Sequence, residues 1–247
     1  DKTAAADPIS FVTAVNLVVG SWIVGAVVMA EYTRFAKKAW VALAIPFIVM
    51  IIAQWFLQVV GALGGVVSGS ADFTTYLLQQ GMVIGGIGLI GMSLALWTTG
   101  DANLYLPVIQ TSAVFKRPKR VMVVIWGTLG TILGLGLYQY FLGWITLLAA
   151  LVPPLIGPLI VDYYLVHKGK YNADDLKKLH TWNWAAILAY GVGAFFAYGV
   201  TYGVLDLPDI LIPSLLGLVV SMIAYAAIYF VASAGGIRIG YSGVSTS

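Results

Sequence analysis

Long apolar runs separated by short polar stretches organise this chain. The runs cover about residues 9–30, 39–67, 76–100, 121–138, 140–165, 182–204 and 209–233. Each is close to or above the roughly 20 residues a helix needs to cross the hydrocarbon layer of a bilayer. Apolar positions are continuous within the runs and do not alternate with period two, so helices are expected and barrel strands are not. The pattern predicts an all-α membrane protein of seven transmembrane helices. The second run is long enough to require tilt, and the fourth and fifth meet in a tight turn at 138–140.

Composition agrees. Sixty per cent of the residues are hydrophobic and 9% are Asp, Glu, Lys or Arg, against about 25% charged in soluble domains. There is no cysteine, which excludes disulfides, thiolate metal sites and thiol nucleophiles. The chain opens Asp1-Lys2-Thr3-Ala4 without a methionine. It reads as a polar extramembrane loop, cut from something longer.

Charge adds direction. Of the 13 basic residues, Arg34, Lys37 and Lys38 follow the first span, and Lys116, Arg117, Lys119 and Arg120 follow the third. Lys168, Lys170, Lys177 and Lys178 follow the fifth, and Arg238 follows the seventh. Only Lys2 falls on the other side. The positive-inside rule then places the N-terminus outside and the C-terminus in the cytoplasm of an inner (plasma) membrane. The net charge of +3 is loop charge and does not argue for nucleic acid. Within the loop 166–181, Asn172 is positioned to cap a short helix and Asp174 to pair with Lys178.

Two spans carry helix-breaking residues. The first holds Gly20-Ser21 and Gly25 near its middle, where a break would open backbone to a ligand; helix packing is the plainer explanation. The fifth holds Pro153, Pro154 and Pro158, which remove amide donors and predict a kink. Polar groups at membrane depth are costly and often functional. Gln54 and Gln58 lie one turn apart and either line a cavity or bond a neighbouring helix. Thr98 and Thr99 end the third run. They either bond back to their own helix or join the Ala95 carbonyl in offering oxygens to a small cation. Glu31 and Arg34 form an i, i+3 pair at an interface or a gate. His167 and His180 sit in a loop without paired ligands. No catalytic constellation or phosphate loop appears, so an enzyme is not expected.

Four stretches together resemble a known family. They are Val18-Val19-Gly20-Ser21-Trp22 running to Glu31-Tyr32-Thr33-Arg34-Phe35, Leu96-Trp97-Thr98-Thr99-Gly100-Asp101-Ala102-Asn103-Leu104-Tyr105, Gly143-Trp144-Ile145-Thr146 through Pro153-Pro154 to Asp162-Tyr163-Tyr164, and Asn183-Trp184-Ala185-Ala186. They resemble the cytosine permease branch of the nucleobase–cation symporters, in order and over nearly the whole chain. That family has two inverted repeats of five helices and two trailing helices. The resemblance implies helices six to twelve: the second inverted repeat (1–165), a cytoplasmic loop (166–181) and the two trailing helices with the tail (182–247).

The resemblance also implies roles. Trp22 matches the aromatic that stacks on a flat heterocycle, flanked by Gly20, Ser21 and Val24; Ala95 faces the same substrate. The Ala95 carbonyl and the Thr98 and Thr99 hydroxyls match a sodium site, with sodium as coupling ion and no other cofactor. Val24 stands where the family can carry serine, and Ala95 where cytosine permeases tend to carry asparagine. A purine, a hydantoin or another pyrimidine relative therefore stays open. The rest of both sites is expected from missing N-terminal helices, in the same or another chain. The function implied is sodium-coupled uptake of a nucleobase-like ring; the other reading is a non-transporting membrane fragment or assembly subunit.

Overall fold

A computed structural model describes residues 9–69, 73–170, 182–208 and 210–236. Among these residues the chain is helical throughout, without strands. The elements are α1 (Phe11–Thr33), α2 (Ala39–Phe47), a π-helical segment (Ile48–Ala53), α3 (Gln54–Ser68), α4 (Phe73–Gln79), α5 (Met82–Phe115) and α6 (Lys119–Leu137). A 3₁₀ turn (Tyr138–Tyr140) leads to α7 (Phe141–Leu151), α8 (Pro153–Val161), a second π segment (Asp162–Val166), α9 (Trp184–Thr201) and α10 (Pro213–Ala234). Among the described residues, seven segments are long and apolar enough to cross a membrane: Phe11–Thr33, Ala39–Ser68, Met82–Phe115, Lys119–Leu137, Phe141–Val166, Trp184–Thr201 and Pro213–Ala234.

Three expectations are corrected. The first span is one uninterrupted helix through Gly20, Ser21 and Gly25. Serine and glycine lower helix propensity, but no amide donor is lost, so the ladder continues. The third span does not run over 76–100. Residues 73–79 form the separate helix α4, and Gly81, at φ 100°, turns the chain before α5 begins. Glycine tolerates that left-handed backbone because it has no Cβ. Gly85 and Gly88 then admit Leu77 and Leu78 of α4 against α5. Finally, Thr98 and Thr99 do not end a helix. They lie inside the 34-residue α5, which at about 1.5 Å per residue is far longer than the hydrocarbon layer. The fifth span is interrupted at its prolines: α7 ends at Leu151 and α8 restarts with Pro153 at its first position, where a missing N–H costs nothing.

The chain divides into two compact units, Val28–Tyr138 and Ile9–Val27 with Gln139–Ser247. In the first, Trp126 Nε1 donates to Thr111 Oγ1 at 2.8 Å and ties α6 to α5. Glu31 and Arg34 form the interfacial pair at 2.9 Å. Arg34 also donates to the Tyr105 hydroxyl at 3.3 Å, and the Tyr32 hydroxyl donates to the Ala102 carbonyl at 2.8 Å. Gln54 is half-buried and Gln58 exposed.

The second unit is packed by small residues. On α9, Ala189, Gly193 and Ala197 recur every fourth position; on α10, Gly217, Ser221 and Tyr225 do the same. A Cβ on Gly193 would overlap the Gly217 carbonyl and the Ser221 Cβ, and a Cβ on Gly217 would overlap the Ala197 Cβ. Pro154 of α8 reaches both glycines, and Gly157 lies against Ser221. Three backbones therefore meet at close range, which is how membrane helices gain contact in a solvent as apolar as themselves. The start of α10 is held from α1: buried Asn16 accepts the Ser214 N–H at 3.2 Å. Gly193→Ala is expected to lower the thermal midpoint of the purified protein by overpacking, a cost of about 1–3 kcal/mol. Gly191→Ala, with open space around it, serves as the neutral comparison.

Candidate functional site

The predicted residues fall into two sets, each described within its own unit. Gly20, Ser21, Trp22 and Val24 lie on the part of α1 that belongs to the second unit. Gly20 is buried because α7 crosses it: a Cβ there would collide with the Ile145 carbonyl and the Ala149 Cβ. The glycine thus serves close packing, the plainer of its two explanations. Ser21 is exposed and spends its hydroxyl proton on the Val18 carbonyl at 2.7 Å. Trp22 is half-buried and Val24 exposed. The Trp22 ring runs past Gly25, where a Cβ would sit 3.5 Å from Cε3, so the indole lies along its own helix.

Ala95, Thr98 and Thr99 share one exposed face of α5 in the first unit. Thr98 Oγ1 donates to the Ala95 carbonyl at 3.0 Å and Thr99 Oγ1 donates to the same oxygen at 2.9 Å. The plainer reading of two threonines bonding back to their helix is therefore what the structure has. It also gathers three oxygens at one point. With both hydroxyl protons turned toward the carbonyl, the hydroxyl lone pairs face away from it. Oxygens are the ligands a hard cation takes, and holding one on all three would require the hydroxyl protons to turn away from the carbonyl. Among the described residues no group of three His, Cys, Asp or Glu is placed to hold a metal.

Sequence reasoning missed a buried polar network in the second unit. His167 is not a free loop residue: it is 7% exposed, and Nδ1 lies 3.1 Å from the Asp162 carbonyl oxygen and 3.3 Å from Asp162 Oδ2. Both neighbours are acceptors, so Nδ1 carries a proton. The Tyr225 hydroxyl, on α10, donates to Asp162 Oδ1 at 2.8 Å. Asn183 Nδ2 donates to the same hydroxyl at 3.2 Å, while Asn183 Oδ1 accepts the Ala186 N–H at 3.1 Å and caps α9. An asparagine just ahead of an apolar run was the signal for that cap. Its bond to a tyrosine 42 positions away had no local signature. Asn172, Asp174, Lys178 and His180 lie outside the described residues.

The same unit holds a pocket of about 870 Å³, lined among others by Thr13, Asn16, Thr146, Thr201 and Asp206. Gly20, Ser21, Trp22 and Val24 do not line it, so its size alone does not make it the site for a stacked ring.

Helices long and apolar enough to cross a bilayer define the class as a multi-pass membrane protein. Over residues 2–233 the chain matches the family described as permease for cytosine/purines, uracil, thiamine, allantoin, and it belongs to that family. It is 32% identical over 188 residues to the cytosine permease of Escherichia coli K12, covering 76% of this chain and 44% of that protein. The cytosine permeases of Escherichia coli O6:H1 and O157:H7 match to the same extent. The chain thus spans less than half the length of these curated relatives. No solved structure matches it significantly.

Tyr225→Phe deprives Asp162 of a donor and Asn183 of an acceptor. A loss of about 1–3 kcal/mol is expected, read as a lower thermal midpoint in detergent. Tyr229→Phe, which removes no described hydrogen bond, should leave that midpoint near its original value.

Proposed function

We propose that this chain forms part of a sodium-coupled transporter for a nucleobase or related heterocycle, working by alternating access. The observation that carries the reading is the cluster of the Ala95 carbonyl and the Thr98 and Thr99 hydroxyls on α5, in a chain that belongs to a permease family. Sodium is the cargo that drives uptake, and those three oxygens supply part of its shell. Trp22 presents an aromatic face to the ring, with Gly20, Ser21 and Val24 beside it on α1. The relatives are cytosine permeases, but the polar groups lost at Val24 and Ala95 keep the substrate at the level of nucleobase-like rings. The remaining ligands would come from further helices, in the same or another chain; that the chain spans less than half the length of its curated relatives supports this.

The membrane is the inner (plasma) membrane, with the N-terminus outside and the C-terminus inside. The charge asymmetry of the loops supports this direction. Because the chain contains no cysteine, it can be read directly with single-cysteine variants. Asp206→Cys should react with a membrane-impermeant maleimide on intact cells, and Lys116→Cys only after permeabilisation. The reverse pattern would invert the topology.

Uptake of labelled cytosine, uracil and hypoxanthine tests the transport reading, in cells expressing the protein. Trp22→Ala is expected to reduce uptake about tenfold, the scale of a lost aromatic stacking partner. Thr98→Ala with Thr99→Ala should raise the sodium concentration for half-maximal uptake by an order of magnitude. Sodium dependence unchanged in that double variant would sink the ion assignment.

A further inference from the structure

The first unit carries a pocket of about 510 Å³ where α1 hands over to α2, lined by Tyr32, Phe35, Lys37, Lys38, Trp40 and Ile45 among others. Its chemistry divides in two. Lys37 and Lys38 form no ion pair among the described residues. The neighbouring cation, Arg34, is already committed: it pairs with Glu31 at 2.9 Å, donates to Tyr105 at 3.3 Å and lies 4.8 Å over the Phe35 ring. One wall is therefore held in place. Tyr32 strengthens it, with its hydroxyl bonded to Ala102 and its ring stacked on Tyr105 at 6.2 Å. The other half of the pocket is apolar and open, with Phe35 68% and Trp40 65% exposed and Ile45 exposed as well.

We infer that this pocket is a binding site for an anionic phospholipid. The two unpaired ammonium groups supply the charge complement of a phosphate-bearing headgroup. Trp40 and Phe35 supply ring surface of the kind that sits at headgroup level, and Ile45 adds apolar surface for an acyl chain. A small inorganic anion would use the lysines and leave the rings unpartnered; a zwitterionic lipid would use the rings and leave the lysines uncompensated. An anionic amphiphile uses both. The site lies within one unit, and nothing in it depends on the transport reading.

The test is quenching of Trp40 fluorescence by brominated lipid in nanodiscs, with the signal of Trp40→Phe subtracted to isolate that one ring among 8 tryptophans. Brominated phosphatidylglycerol should quench Trp40 in preference to brominated phosphatidylcholine. Lys37→Gln with Lys38→Gln should reduce the preference roughly tenfold, while Lys37→Arg with Lys38→Arg retains it. Lys116→Gln with Lys119→Gln makes the same charge change elsewhere and should leave it intact. The absence of a preference in the unsubstituted protein would overturn the site, whatever the variants do. So would an equal loss in the Lys116/Lys119 pair, which marks diffuse charge, or displacement of the lipid by inorganic phosphate, which marks an anion site.

Discussion

Within a bilayer an apolar side chain gains little by moving from lipid to protein, so helices stay together where their backbones come close enough for dense contact. In the second unit that condition is met where α8, α9 and α10 meet at Pro154, Gly193 and Gly217. The break at Val152 delivers Pro154 to the junction, and the missing Cβ atoms of Gly193 and Gly217 let the chains approach. Gly157 and Ser221 repeat the arrangement one turn on. The position of α7 follows, since it is continuous with α8, and Gly20 of α1 is close-packed against it in turn. The residues that build this unit are therefore small, and most large apolar side chains of the chain remain exposed, available to lipid.

The second constraint is that buried polar groups need partners. Asp162, His167, Tyr225 and Asn183 meet it by pairing with each other, and in doing so they link the end of the fifth span to the start of the sixth and the middle of the seventh. Ser21, Thr98 and Thr99, which are exposed, bond locally instead, to carbonyls three or four residues back. Local satisfaction has a chemical consequence at Ala95. Two hydroxyls held on one carbonyl bring three oxygens together on the exposed face of α5.

Much of the fold is legible in the order of residues. Seven apolar segments, the break at Pro153-Pro154 and the turn at 138–140 all follow from local chemistry: a helix satisfies its own backbone in lipid, and proline cannot donate. The ends were less legible. Gly100, Asp101 and even Pro107 do not stop α5, which runs on to Phe115, while Gly81 divides α4 from α5 where the apolar run hides the break. Gly20-Ser21 resembles a break, but a glycine in a sequence does not say whether it frees the backbone or admits a neighbour. Only the crossing of α7 over Gly20 decides that.

By itself, then, the sequence determined the solvent, the number of spans, the charge asymmetry of the loops and, through its motifs, the family. These depend on composition and on contacts within a few residues. Tertiary structure alone decided that Ala189, Gly193 and Ala197 face Gly217, Ser221 and Tyr225, that His167 turns back on Asp162, and that Asn183 caps one helix while holding a tyrosine of another. Those pairings join residues dozens of positions apart. A four-residue spacing shows which side chains share a face, but which helix that face meets is set by the backbone approach of the whole bundle.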